Sequence, residues 1–355
     1  MSETMLAAIF KGPKKPLSLE QRPVPQITDP HDVILKVGGV GICGSDISIL
    51  TDFKKHPALP GVIFGHEFCG QIVEMGDAVK DLQIGQNVAV DQNPGCGHCY
   101  MCREGFPNAC IPLFDNPKAP EYGWPNTPGQ WWDGGMATYV KIPDHYCYQI
   151  NQNVPLRHVA VFEPLGVVVN AMSKVKPQVG EYGVVIGGGA VGLFATALLR
   201  AGGLSKIIAC EPHPKRRALL KEVGADIVVD PTVDDLQAVV MDHTDGHGAQ
   251  VVVEAVGSQL PAALNCICYG GRIAQIGIPS YDITFRPFQI YAKEAQIFGS
   301  FLMKNATNAT IRILESGILP MDKIITHTFP LEQVNDAIEV ARNGEGGKVV
   351  ILPNG

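Results

Sequence analysis

Across 355 residues, 35 acidic side chains outnumber 28 basic ones for a formal charge of −7, so the chain offers no basic field for a nucleic-acid backbone. No stretch approaches the run of about eighteen apolar residues that a membrane span requires, while 46% hydrophobic against 18% charged residues supply cores for two domains of ordinary size. The expectation is a cytoplasmic protein with a small-molecule partner, no nucleic acid and no membrane; 39 glycines and 27 prolines add many turns and a β-rich portion.

Residues 1–15 lack the apolar core of a signal peptide, so the cysteines are expected to stay reduced. Up to about residue 155 the pattern is one of short strands between Gly and Pro punctuation, at 6–10, 32–40, 68–75, 87–91 and 137–141. Among and beyond them lie three segments read as glycine-rich loops: Gly41-Ile42-Cys43-Gly44-Ser45-Asp46, Gly65-His66-Glu67 and Phe162-Glu163-Pro164-Leu165-Gly166. Alone, Cys43 also fits a small buried side chain and His66 a hydrogen-bonded core histidine. Beside a nucleotide fold, Cys43, His66 and a carboxylate supply the three protein ligands of a catalytic zinc, with one exchangeable position left.

Between the strands, Cys96, Cys99, Cys102 and Cys110 crowd into fifteen residues. Two-residue gaps let three thiolates converge from one loop, and the fourth closes a tetrahedron suited to zinc, with no open position for chemistry. The following residues 112–133 hold Tyr122, Trp124, Trp131 and Trp132 among prolines; they fit a substrate pocket or a subunit contact equally.

From about residue 181, strands alternate with amphipathic helices: strand 183–186, helix 190–201, strand 206–211, helix 215–223, strand 227–230, then strands at 250–256, 272–276 and 295–300. Such alternation builds a doubly wound α/β fold around a parallel sheet. Gly187-Gly188-Gly189-Ala190-Val191-Gly192 joins the first strand to the first helix, the context a dinucleotide fingerprint demands. Gly187 serves the turn, Gly189 the approach of the pyrophosphate, and Gly192 helix packing. Glu211, at the end of the next strand, is placed for the ribose hydroxyls of NAD and against a 2′-phosphate; Lys215, Arg216 and Arg217 weaken that inference, because an arginine there serves a 2′-phosphate or covers the adenine. A helix at 331–342 precedes a last strand, 348–352, expected to return to the first domain.

Together these motifs resemble the zinc-dependent medium-chain dehydrogenases, in particular the sorbitol, threonine and butanediol dehydrogenase branch, over almost the whole chain. The resemblance implies a β-rich GroES-like catalytic domain (1–160 and 300–355) and a Rossmann NAD-binding domain (161–299). It implies two zinc ions per chain, a catalytic one on Cys43, His66 and Glu163, with Glu67 as alternate, and a structural one on Cys96, Cys99, Cys102 and Cys110. Ser45 matches the hydroxyl that bonds the substrate oxygen and starts the proton relay, although a turn serine fits as well. Asp46 matches the carboxylate that orients the zinc histidine. Gly187, Gly189, Ala190, Val191, Gly192, Glu211, Arg216, Gly277, Ile278, Ser300 and Phe301 are the implied cofactor contacts, with NAD favoured over NADP. Ser48 stands where many relatives carry the histidine that completes proton exit; His56, read as a surface residue, is one substitute. Leu302 stands where sorbitol-type members often carry arginine. The expected reaction is hydride transfer from a secondary alcohol (polyol, sugar or cyclitol) to NAD, in a homodimer or homotetramer. The alternatives are a dehydrogenase of bulky hydrophobic, terpenoid or aromatic alcohols, and a non-catalytic nucleotide-binding zinc protein.

Overall fold

A computed structural model describes residues 3–51, 56–116, 124–278 and 281–355. Strands β1 (Thr4–Ile9) and β2 (Ser18–Pro23) form an antiparallel ribbon. The next five, β3 (Asp32–Gly41), β4 (Glu67–Met75), β5 (Asn87–Val90), β6 (Tyr139–Pro143) and β7 (Cys147–Gln149), build a larger antiparallel sheet around β3, which pairs with both β4 and β6. Alternate residues Val33, Leu35 and Val37 of β3 enter a core with Phe64, Phe68 and Ile72, the pattern of a strand with one face inward.

Strands β8 (Tyr182–Ile186), β9 (Lys206–Cys210), β10 (Ile227–Val229), β11 (Ala249–Glu254), β12 (Ile267–Gln275) and β13 (Gln296–Gly299) form a parallel sheet in the order β10-β9-β8-β11-β12-β13. This is the doubly wound order whose reversal of direction between β8 and β11 opens a ligand crevice at the carboxyl edge. Both faces are covered: Val184 and Ile186 pack on one side, Val185 on the other, which is why these strands are apolar throughout. The last strands, β14 (Ile325–Pro330) and β15 (Lys348–Leu352), leave this sheet; β15 pairs with β3 through Val350↔Gly41 and Ile351↔Val40, so the chain end returns to the first sheet as the sequence suggests.

One expectation is corrected here. Cys43 and His66 do sit in short glycine-bearing connections as expected, but Glu163 does not: its motif forms the first turn of a helix. Gly44 opens the helix Gly44–Thr51, Glu67 opens β4, and Phe162 opens the fourteen-residue helix Phe162–Val175. Pro164 is tolerated there because the first turn has no intrahelical use for its missing N–H. Leu165, Val168, Ala171 and Val175 of that helix share one core with Leu193 and Phe194 of the helix Ala190–Ala201 and with Val350 of β15. The helix therefore lies at the seam between the two sheets, with Glu163 in its first turn.

Candidate active site

The β3/β4 pairing assembles the metal donors. Gly41 and Glu67 face each other in the register, so Cys43, just past the end of β3, meets His66, just before β4. One ligand atom from each of Cys43, His66 and Glu67 lies within 4.8 Å of the other two. Asp46, fully buried, accepts from the Cys43 backbone N–H at 2.9 Å and stands 3.1 Å from His66 Nδ1. That contact fixes the ring and leaves Nε2 for a metal, with Ser45 Oγ at 3.4 Å from it. Burial disfavours an imidazolium here, but Asp46 overcomes it and holds the His66 pKa well above the ordinary value: the site favours positive charge at this ring.

Behind the donors lies a residue that the sequence reading met only as part of the last strand, with no role assigned. Lys348 of β15, only 2% exposed, is ion-paired with Glu67 Oε2 and donates to the Ile42 carbonyl at 2.8 Å. A side chain at position 41 would overlap Glu67 Oε2, so only glycine lets this pair form across β3. The other Glu67 oxygen, Oε1, is buried without a hydrogen-bond partner among the described residues. A buried carboxylate oxygen in that condition, beside a thiol and an oriented imidazole, fits a divalent cation; the mixed S, N and O donor set fits zinc with one position open. Glu163 lies outside the 4.8 Å set. It is buried nearby, hydrogen-bonded by Gln92, and its carboxyl is pushed up to about 7 by burial and by the charge of Glu67.

The second donor set is closed. The four thiols of Cys96, Cys99, Cys102 and Cys110 lie within 4.8 Å of one another, with Sγ separations of 4.0 Å (Cys96 to Cys102) and 3.9 Å (Cys99 to Cys110). A tetrahedron of zinc–sulfur bonds has edges of about 3.8 Å, so the cage fits the ion. Backbone N–H groups point at the sulfurs, from Cys96 to Cys110 and from Cys99 to Cys96, each at 3.3 Å. Such donors hold Cys96 and Cys99 below the usual thiol range, while burial pushes Cys110 up and Cys102 up to about 12, so the geometry of the cage rather than the thiol acidities carries the metal assignment.

At the carboxyl edge of the parallel sheet the expected cofactor residues line up along the strand order. Gly187 turns with φ +104°, a side chain on Gly192 would overlap the Gly187 carbonyl oxygen, and Gly189, the N-cap of the helix Ala190–Ala201, has no protein atom within 4 Å of where a Cβ would stand. That open space before a helix N-terminus has the room and the backbone donors to receive a diphosphate; Ala190 and Val191 form the first turn. Glu211 follows β9, buried, and accepts from the Gly188 N–H at 2.6 Å and the His213 N–H at 2.8 Å. Gly277 and the exposed Ile278 follow β12; Ser300, buried with its hydroxyl unpartnered among the described residues, and the exposed Phe301 follow β13. The three basic residues after Glu211 are engaged with protein groups. Lys215 pairs with Glu345 at 3.4 Å, Arg216 donates to the Gly346 carbonyl at 3.2 Å, and Arg217 pairs with Asp230 at 2.8 Å. A further organiser, unforeseen, is the fully buried Glu254, whose Oε1 and Oε2 accept the Gly257 N–H at 2.8 and 2.9 Å and fix the turn after β11.

Two readings near the pocket change. His56 is buried rather than on the surface, packed against Trp124 with ring centroids 4.2 Å apart and the rings tilted by 35°, and burial pushes it down to about 4. Ser48 is exposed and donates to the Gly44 carbonyl at 3.2 Å, a helical back-bond. Of the aromatics after the cysteines, Trp131 is buried and serves the interior, while Trp132, half-buried, packs edge-on to Tyr146 and donates to the Asn126 carbonyl. Tyr122 lies outside the described residues.

A mixed-ligand site, a closed cysteine cage and a doubly wound sheet with a glycine turn define a zinc- and nicotinamide-dependent dehydrogenase. Comparison agrees. The family model described as "Alcohol dehydrogenase GroES-like domain" matches residues 29–152, and "Zinc-binding dehydrogenase" matches residues 190–316. The chain is 30% identical to D-xylulose reductase A of Aspergillus oryzae (98% of this chain, 96% of that one) and 32% identical to L-threonine 3-dehydrogenase of Pyrococcus furiosus (99% of each). Among solved structures it is similar to an Escherichia coli alcohol dehydrogenase complexed with NADH (TM-score 0.87, 28% identity, 99% of this chain and 100% of that one). It is also similar to a protein of zinc-binding dehydrogenase type from Sinorhizobium meliloti bound to NADP (TM-score 0.88, 28% identity, 99% and 100%). The chain belongs to the zinc-dependent medium-chain dehydrogenase family and is an oxidoreductase.

Proposed function

We propose that this enzyme oxidises a secondary alcohol of the polyol, sugar or cyclitol class with NAD. The observation that carries the reading is the convergence of Cys43, His66 and Glu67 within 4.8 Å, with Ser45 Oγ beside His66 Nε2. Zinc held by Cys43, His66 and a carboxylate supplies the Lewis acid that lowers the pKa of the substrate hydroxyl, and the nicotinamide accepts the hydride. Glu67 would fill the third ligand place, and Glu163, buried nearby, would be the alternate carboxylate. Ser45 receives the substrate proton by hydrogen bond, and Asp46 keeps His66 in the productive tautomer. Ser48 does not extend the relay, because its hydroxyl is spent on the Gly44 carbonyl. Glu211 accepts the ribose hydroxyls and disfavours a 2′-phosphate, and the engagement of Arg216 and Arg217 with carbonyls and Asp230 supports NAD over NADP.

The relatives acting on a sugar alcohol support the polyol class. A second reading, bulky hydrophobic or aromatic alcohols, is favoured by the packed His56 and Trp124 rings. NADH formation by zinc-replete protein across polyols, cyclitols, diols and terpenoid alcohols tests both; a higher rate on a cyclic terpenoid than on sorbitol selects the second, and silence throughout defeats the proposal. We further infer that residues 1–160 with 300–355 form the catalytic domain and 161–299 the nucleotide domain, and that the chain works in the cytoplasm as a homodimer or homotetramer. Exposed Phe288 and Tyr291, just before the edge strand β13, support self-association. Among the described residues no helix is long and apolar enough to cross a membrane.

A further inference from the structure

We propose that Asn108 is a positioning residue through which the cysteine cage controls cofactor affinity. Asn108 stands in the short turn Pro107–Ala109, between Cys102 and Cys110, and is buried. Its Nδ2 donates to the Phe301 carbonyl at 2.7 Å. From the opposite side, Asn170 of the helix Phe162–Val175 donates to the Leu302 carbonyl at 2.8 Å. Two more contacts join the same lobe to the same segment: Phe114 lies 6.2 Å from the Phe301 ring, and Lys304 Nζ stands 3.4 Å from the centroid of Phe106. Between these clamps the backbone holds Leu302 at φ +54° and Asn305 at φ +53°. Asparagine adopts such a conformation readily, but a leucine keeps it only where its surroundings over-determine it. The segment so held begins with Ser300 and Phe301, just past the carboxyl end of β13, two of the cofactor contacts the resemblance implies; this inference rests on that reading and on the function proposed above.

A closed cysteine cage takes no part in the reaction, yet ordering its lobe orders Asn108, and Asn108 orders Ser300 and Phe301. Coupling of this kind is reciprocal: if the lobe favours cofactor binding, bound cofactor must order the lobe.

The test uses the full-length, zinc-loaded protein and NADH as the probe, with affinity read from NADH fluorescence and order from hydrogen exchange. Asn108→Asp removes the donor at nearly constant shape and is expected to raise the Kd for NADH about fivefold or more, the worth of one buried hydrogen bond, with two zinc ions retained. NADH is expected to slow amide exchange in residues 96–114 of the wild type and to leave it unchanged in Asn108→Asp. Should that variant not fold, Phe106→Ala, which trims an exposed ring, is expected to raise the Kd about twofold. A wild-type Kd in Asn108→Asp, or in Phe106→Ala where that variant stands in, overturns the inference, as does exchange in 96–114 that is indifferent to NADH. If the wild type itself binds no NADH, the proposed function fails as well, which separates the two outcomes.

Discussion

At Cys43 the thiol has one role that chemistry can test cleanly. Cys43→Ala removes a metal donor far from the glycine turn, so turnover should fall by several orders of magnitude while NADH binding persists; normal turnover would remove the metal assignment. Glu211→Ala should raise the Michaelis constant for NAD and narrow its advantage over NADP, because the group that accepts the ribose hydroxyls is gone; an unchanged preference excludes Glu211 from that role. Both residues were legible because each belongs to a local motif. Lys348 was not, since its meaning depends on Glu67 and Gly41, brought together only by strand pairing near the opposite end of the chain. Removing it strands a buried carboxylate, so Lys348→Met should cost about 3–5 kcal/mol in urea unfolding, and adding Glu67→Gln should recover much of that. Equal stability of Lys348→Met and wild type would show that the ion pair carries no weight. His56 was misread for a related reason. A histidine beside Pro57 looks exposed until Trp124, from a distant loop, covers it.

Elements explain which motifs could be read and which could not. The strand, glycine turn and helix at 182–201 were visible because the glycine spacing and the helical pattern agree, and Gly192 is the point of closest contact. Gly192→Val forces a side chain into the Gly187 carbonyl and should abolish NADH binding while both zinc ions remain bound, as measured by fluorescence titration and metal analysis; retained NADH affinity would contradict the role of the turn. The helix Phe162–Val175 was hidden, because Pro164, Gly166 and the run Val167-Val168-Val169 all argue against helix locally. Burial decides instead: the helix fills the seam between the two sheets, and tertiary packing outweighs weak propensity. The cysteine lobe lacks a core of its own, with no buried residue in its short helix Tyr100–Arg103. Its order should therefore depend on metal, and Cys102→Ser should lower the melting temperature and raise the proteolytic sensitivity of residues 96–114 before it alters chemistry.

For the molecule as a whole, one ion pair at a corner of the first sheet makes stability depend on pH in the acid range. Asp32 accepts the backbone N–H groups of Thr28 and Asp29 at 2.9 and 2.8 Å and pairs with Lys141 at 3.0 Å. Burial works against its ionised form, but those donors hold the carboxyl at about 2, below its ordinary 3.8. A depressed pKa contributes stability that is complete above pH 3.8 and lost as pH falls toward 2. Asp32→Asn should thus be less stable than wild type at neutral pH, by on the order of 1–2 kcal/mol, with the gap closing as pH falls through that window; a constant gap would deny the linkage. At this scale the two-sheet architecture was readable from the switch between punctuated strands and strand-helix alternation. The Lys348–Glu67 ion pair behind the reactive set was not, because it depends on β3, β4 and β15 meeting across large sequence separations. The central claim is that the chain carries one reactive and one closed zinc site. It is tested most directly by zinc content per chain in wild type and Cys43→Ala: two ions falling to one supports the account, and one ion in both contradicts it.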